Sequence, residues 1–254
     1  MPTPSPDPFE AWVIDLERRQ LADLTFGELR RALAALSSLY VERRGRLGEG
    51  AALEGAGKRA AFALFYGPLH FLTVRGVVRA LAGESAPPKR IIDLGCGTGV
   101  AGAAWALECD PRPAVTGWER SAWAITEARW CFSRLRVRGI LRRGDFAAAQ
   151  LGGREDAVLA AFAINELDAG VRESLLEKMI EASRRGARVL VVEPIARRGF
   201  SWWDHWAATF QGVGGREDSW RFPAVLPDLI RRLDEASGMD HRELTARSLC
   251  LNLP

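Results

Sequence analysis

The sequence is poor in cysteine: four among 254 residues, at positions 96, 109, 131 and 250. None forms a Cys-x-x-Cys pair, and none stands near a histidine at zinc-ligand spacing. Neither a disulfide framework nor a metal site is therefore expected. The thiols should be reduced and mostly buried, as in a reducing compartment. The first residues, Met1-Pro-Thr-Pro-Ser-Pro-Asp-Pro, offer no basic start and no apolar stretch behind it, so no secretory signal is read there. No apolar run approaches bilayer length, and no internal repeat is found. Neither sign of charge dominates, with 35 Lys and Arg against 32 Asp and Glu and a net charge of +3. That balance permits a nucleic-acid partner without requiring one. These absences lead to the expectation of a soluble cytoplasmic protein with no membrane partner.

What is present is apolar material, 48% of the chain, enough for one substantial core and a smaller appendage. Residues 1–8 are proline-rich and expected to be disordered. Thr25-Phe-Gly-Glu28 fits a capping box, followed by Leu29, Leu33, Leu36, Leu39 and Tyr40 at helical spacing. Residues 43–57 read as a loop. A helix beginning near Lys58 is expected to be interrupted at Gly67-Pro68 and to resume over 69–81. After a linker at 83–89, short apolar strands alternate with helices, the signature of a parallel sheet. Strands are read at 90–94, 114–118, 139–142, 157–164 and 188–192, with helices near 100–108, 121–135 and 169–184. A helix over about 223–237 and a strand within 243–251 complete the pattern. The expected fold is a doubly wound, mostly parallel α/β sheet. Residues 1–86 would form an N-terminal helical cap and residues 87–254 the ligand-binding domain.

Ile91-Ile-Asp-Leu-Gly-Cys-Gly-Thr-Gly99 runs an apolar strand into a glycine loop that opens a helix. Gly97 to Gly102 even matches G-x-G-x-x-G, and Glu119 stands near the position of a ribose-binding acid, so a dinucleotide must be weighed. Asp93 argues against it. A carboxylate ending that strand would repel a pyrophosphate, whereas an ammonium or a sulfonium welcomes it. Gly144-Asp145-Phe146 follows the third strand, where Asp145 can accept from an adenine amino group and Phe146 can cover the ring. Three acids at the ends of three successive strands match the three polar parts of S-adenosyl-L-methionine.

These motifs resemble the class I S-adenosylmethionine-dependent methyltransferases over residues 90–194. The resemblance implies that Asp93, Gly95 and Gly97 line the methionine part, that Glu119 takes both ribose hydroxyls, and that Asp145 and Phe146 hold adenine. Cys96, Gly99, Arg120 and Ala163 complete the implied cofactor set. Asn165-Glu166-Leu167, after the fourth strand, lies in that fold beside the transferable methyl. There Asn165 would position an acceptor and Glu166 would receive its proton, unless Asn165 merely caps the next turn and Glu166 is solvated. The Asn-Pro-Pro-Tyr type motif of base-amino methyltransferases is absent.

Trp202, Trp206 and Phe210 recur on one helix face, as core or as acceptor wall, with Trp203 and His205 pointing elsewhere. Tyr66, His70 and Arg75 lie on the helices before the sheet, where Tyr66 or Arg75 would reach the methionine carboxylate or simply pack. Arg129, Arg134, Arg136, Arg138, Arg142 and Arg143 cluster around the third strand, read as the sheet edge. They serve there either as an RNA surface or as protection against edge pairing. An acceptor is expected to enter between the N-terminal helices and the 199–222 segment.

A narrower resemblance is carried by the 58–81 helix with its Gly-Pro, Glu119-Arg-Ser121, Ala163-Ile-Asn-Glu-Leu167, and Glu193-Pro194 with Gly199-Phe200. These features look like the methyltransferase-like proteins associated with the small ribosomal subunit. That family's iron–sulfur cysteines are missing, since residues 199–254 hold only Cys250. The acceptor stays open between ribosomal RNA or a ribosome-associated target and a small molecule. A ribosome-assembly factor with a non-catalytic cofactor site is a further alternative.

Overall fold

In the computed structural model, residues 7–42, 53–81, 83, 86–195 and 200–253 are described. The chain divides into two compact units, one of Met1–Leu69 with Pro223–Glu243 and one of His70–Phe222 with Leu244–Pro254.

The first unit is helical. Helix α1 (Pro8–Gln20) starts at Pro8, inside the segment expected to be disordered. Asp7 caps it by accepting from the Phe9 N–H, and Phe9, Trp12, Val13 and Leu16 are buried along it. Helix α2 (Phe26–Glu42) opens on the expected capping box: Glu28 accepts from the Thr25 N–H at 2.8 Å, and the Thr25 hydroxyl accepts from the Glu28 N–H at 3.3 Å. Leu29, Leu33 and Leu36 are fully buried behind it. Of the loop expected over 43–57, residues 43–52 lie outside the described residues, and Ala56 already begins helix α3 (Ala56–Ala61).

The expected interruption at Gly67-Pro68 does not occur. A π turn over Phe62–Tyr66 joins α3 to α4 (Gly67–Ala80), and the Gly67 N–H reaches the Phe62 carbonyl five residues back. Pro68 lacks an N–H, and its ring would clash in a regular helix; the wider turn absorbs both problems and the helix continues. The resulting Ala56–Ala80 helix is long and apolar enough, by length and composition, to cross a membrane. That corrects the expectation that no run reaches this length. Most of its apolar window is buried inside the protein, as in a core helix.

The second unit holds the sheet. Its strands are β1 (Arg90–Leu94), β2 (Ala114–Glu119), β3 (Gly139–Arg143), β4 (Asp156–Ala161), β5 (Arg188–Glu193), β6 (Arg216–Pro223) and β7 (Glu243–Leu251). The intervening helices are α5 (Val100–Leu107), α6 (Ala122–Leu135), α7 (Ala169–Arg184) and α8 (Trp203–Gly212), while α9 (Asp228–Ala236) falls in the first unit. The sheet order is β3-β2-β1-β4-β5-β7-β6. The first five strands pair in parallel, and β7 runs antiparallel to β5 from Val189 opposite Leu251 to Glu193 opposite Arg247. β3 is an edge, as its charge suggested. The order reverses between β1 and β4, and a doubly wound sheet binds ligands outside the strand ends at such a point.

Two strands depart from expectation. β4 ends at Ala161 rather than 164, because Phe162 takes φ +58 and Ile164–Glu166 winds into a 3₁₀ turn. β6 was not anticipated: its residues alternate exposed and half-buried, so it carries too little apolar signal to read as a strand.

The aromatic stripe belongs to the core. Trp206 and Phe210 are fully buried and stack at 6.3 Å. Trp206→Ala is expected to destabilise the protein by about 3–5 kcal/mol. A denaturant-unfolding midpoint unchanged in this variant would contradict that burial.

Candidate functional site

The glycine loop follows β1 as expected. Gly95, Gly97 and Gly99 all have positive φ, at +65, +51 and +80. A Cβ on Gly95 would lie 2.7 Å from Ala163 Cβ and 3.1 Å from the Phe146 ring, so this glycine lets the loop settle onto those two side chains. A Cβ on Gly97 would meet nothing within 4 Å, and the open space for a ligand lies there. The Gly97 N–H and the Ser121 N–H both donate to Glu119, at 3.0 and 2.8 Å, tying the loop to the end of β2.

Other residues assigned to the ligand also touch the loop, its surroundings or one another. Phe146 is buried in the core beneath Gly95 and does not stand over open space. Cys96 is buried with its Sγ against Gly117, where a Cβ would approach to 2.7 Å, and burial pushes the thiol well up. Arg120 and Asp145 are joined to each other at 2.5 Å, and Asp145 also accepts from the Ala147 N–H. Burial opposes the Asp145 charge, but these partners hold its carboxyl below the ordinary range.

Asp93 is buried at the end of β1 and accepts from the Gly102 N–H at 2.9 Å. Burial, aided by the Glu119 charge, pushes it up to about 7. Glu193, ending β5, is equally buried, accepts from the Ile164 N–H at 3.1 Å, and is pushed to about 8 by burial and, less, by Glu166. Glu166 is exposed as a residue, yet desolvation of its carboxyl and then the Glu119 charge raise it, with Arg120 opposing; water at the surface mutes this effect. Asp93, Glu119, Glu166 and Glu193 thus form a chain of neighbouring carboxyls that resist ionising together. Such a site favours a cation and disfavours a phosphate.

The 3₁₀ turn after β4 carries Asn165 and Glu166. The Trp202 indole donates to Asn165 Oδ1 at 3.3 Å, and Arg172 lies over the Trp202 ring. Just before the turn, Phe162 is stacked on His70 with centroids 4.0 Å apart. Burial holds that imidazole neutral, down to about 4. A bulky residue at positive φ is strained, and such strain collects at ligand sites. The Phe162 conformation had no sequence signal. Glu193 had one: an acid ending an otherwise apolar strand.

The remaining candidates have other partners. The Tyr66 hydroxyl is 3.0 Å from Ser37 Oγ, and Arg75 lies over Phe71. His205 is exposed beside Glu173. Trp203 does not point elsewhere, as expected, but is buried; its indole donates to Glu217 and Arg247 lies 4.0 Å over its ring. Gly199 of the expected acceptor-entry segment lies outside the described residues.

Comparison with known proteins gives a matching answer. Residues 77–190 match the family model of the methyltransferase small domain. No curated protein matches the chain. Among solved structures, mitomycin 7-O-methyltransferase MmcR is similar at 16% identity and a TM-score of 0.52, over 97% of this chain and 73% of that one. LaPhzM is similar at 16% identity and 0.53, over 97% and 74%. A SAM-dependent methyltransferase from Geobacter sulfurreducens, crystallised with S-adenosyl-L-homocysteine, is similar at 16% identity and 0.48, over 72% and 91%.

The raised carboxyls predict a pH response. Asp93 and Glu193 hold protons in the folded state that the unfolded chain has already released above about pH 4–5. Their contribution to stability is therefore complete below that range and declines as pH rises toward 7–8. Thermal melts of the ligand-free protein should fall over this interval, and Glu193→Gln should flatten the fall relative to wild type. Parallel curves for the two proteins would show that Glu193 is not the titrating group.

Proposed function

We propose that this chain, a class I S-adenosylmethionine-dependent methyltransferase by its match over residues 77–190 and by its fold, delivers the methyl group to an oxygen or nitrogen nucleophile received at the Asn165–Glu166 turn. The observation that carries the reading is the chain of neighbouring carboxyls at the ends of β1, β2, β4 and β5, together with the open space at Gly97. The fit to the cofactor is chemical: its ammonium and sulfonium suit a site with several carboxylates, and the space suits a ligand lying against bare backbone.

When bound, S-adenosyl-L-methionine supplies an electrophilic methyl on sulfur. The protein's part is alignment and charge. Glu119 is held by two backbone N–H groups with its carboxylate facing the loop, and in this reading its oxygens also accept from ribose hydroxyls. Buried Asp93 gives the loop its negative field from beneath. Arg120 and Asp145 act as a joined pair on the adenine side, with Phe146 and Ala163 as the floor of the loop. Asn165, oriented by Trp202, positions the acceptor, and Glu166, with its raised carboxyl, takes the acceptor's proton.

A small-molecule acceptor is supported by one further observation: the likeness to mitomycin 7-O-methyltransferase extends over 97% of this chain. A ribosomal target rests on the narrower sequence resemblance. Mass spectrometry of small molecules, RNA and ribosomal proteins from a deletion strain separates the two.

Ligand binding tests the core of the reading. At a hundredfold excess over its dissociation constant, S-adenosyl-L-methionine or its demethylated product should add about 2.7 kcal/mol of stability. A thermal shift with NAD(H) and none with either compound would overturn the assignment. Glu119→Ala should weaken binding of the demethylated product by roughly ten- to a hundredfold, the loss of a charged hydrogen-bond acceptor. Gly97→Val should be worse, because it fills the open space and strains a positive φ.

A further inference from the structure

The charge of this chain is unevenly placed. Residues 129–143 contain six arginines and no acid, so this stretch carries +6 and the rest of the chain, at a total of +3, carries −3. The structure puts the stretch on the last turns of α6, the connection after it, and edge strand β3. Arg129, Arg136, Arg138, Arg142 and Arg143 make no ion pair with a carboxylate among the described residues. Arginine on an edge strand discourages pairing with another chain, but one or two charges accomplish that.

The two faces of the β2–β3 edge differ. Val115 and Gly117 face inward, where Cβ atoms on Gly117 and Gly139 would meet Cys96, Leu141 and the Phe132 ring of α6. Thr116 and Trp118 point the other way, opposite Ile140 and Arg142 in register. That face is open toward β3: Ile140 is 61% exposed, Arg142 is exposed with its guanidinium 5.9 Å from the Trp118 ring centroid, and Trp118 itself is half-buried, packed in part against the core. A second such pair lies on α6, which covers the inward face, with Arg134 over Trp130 at 5.8 Å. The β2–β3 edge thus joins a dense positive charge to half-buried indoles on its two sides.

We propose that this β3 edge of the sheet, from the α6 C-terminus round to the open β2–β3 face, is a docking surface for a single-stranded nucleic acid. The arginines would hold successive phosphates, and the Trp118 and Trp130 rings would receive bases that a single strand leaves unstacked. A duplex offers the charge but not the free base faces. An anionic membrane offers the charge but makes no use of flat rings beneath guanidinium groups. The edge borders Glu119, Arg120 and Asp145, since Arg143 donates to the Arg120 carbonyl at 3.3 Å. A strand held here lies beside the loop end of the fold. This surface goes beyond the methyl-transfer reading, and either can fail without the other.

The test uses fluorescence polarisation of the full chain with labelled 20-nucleotide RNA and DNA single strands, the corresponding duplex, and phosphatidylserine vesicles. Single strands of either sugar should bind at low salt. Affinity should fall about a hundredfold between 50 and 200 mM salt if five phosphates are engaged. The double variant Arg138→Glu with Arg142→Glu should weaken binding at least tenfold. Arg30→Glu with Arg31→Glu, which changes net charge equally on exposed positions of α2, should not. Trp118→Phe should retain binding better than Trp118→Leu. A thermal shift with S-adenosyl-L-homocysteine that survives in each variant shows that the fold and the loop are intact. The proposal is overturned by no single-strand binding at low salt, by equal loss in the control variant, by duplex binding as tight as single-strand binding, or by vesicle binding without nucleic-acid binding.

Discussion

The carboxylate of Glu119 accepts the Gly97 and Ser121 N–H groups together, and the organisation of the strand ends rests on that pair of bonds. One ties the loop after β1 to β2. The other fixes the entry to α6, whose Ser121 then caps the helix through Ala124. The loop in turn lies on Phe146 from the β3 side and Ala163 from the β4 side, so Gly95 can only be glycine. Four parallel strands therefore contribute to one turn of backbone, and a single acid sets how far that turn stands from them.

That arrangement has an electrostatic consequence. Asp93 is raised by Glu119, Glu166 by Glu119, and Glu193 by Glu166, each after its own desolvation. The carboxyls are close enough to resist full ionisation together. The fold tolerates them because backbone N–H groups accept part of the cost, at Gly102 under Asp93 and at Ile164 under Glu193. Such a site is unfavourable for a pyrophosphate and receptive to positive charge. This separates the chain from dinucleotide binders more firmly than the glycine spacing, which fits both.

The β4 end is built differently from the glycine loop. Phe162 leaves the strand in a left-handed conformation and stacks on a neutral His70, while Glu193 and Trp202 hold the Ile164–Glu166 turn through a backbone N–H and the Asn165 side chain. Strain there is carried by a well-packed surround, since Ile164 and the neighbouring Trp206 are fully buried. A rigid turn presenting an amide and a carboxylate beside a cation-accepting loop is a suitable place to align a nucleophile.

The sequence by itself determined the alternation of strands and helices, and β1 and α7 were legible to the residue because apolar runs and their punctuation are local signals. The glycine loop and its flanking acids were legible for the same reason, as was the arginine-rich edge. Tertiary structure alone decided which of those side chains face open space. Asp145 turned to Arg120, Phe146 and Cys96 turned inward, and Trp203 went to the core under Arg247, because each choice depends on a partner distant in sequence. It also decided how Pro68 sits in an unbroken helix, where a π turn substitutes a five-residue hydrogen bond for the one proline denies. Strand β6 had only Trp220 and Phe222 to announce it, and the neighbouring β7 gives its backbone a place at the sheet edge.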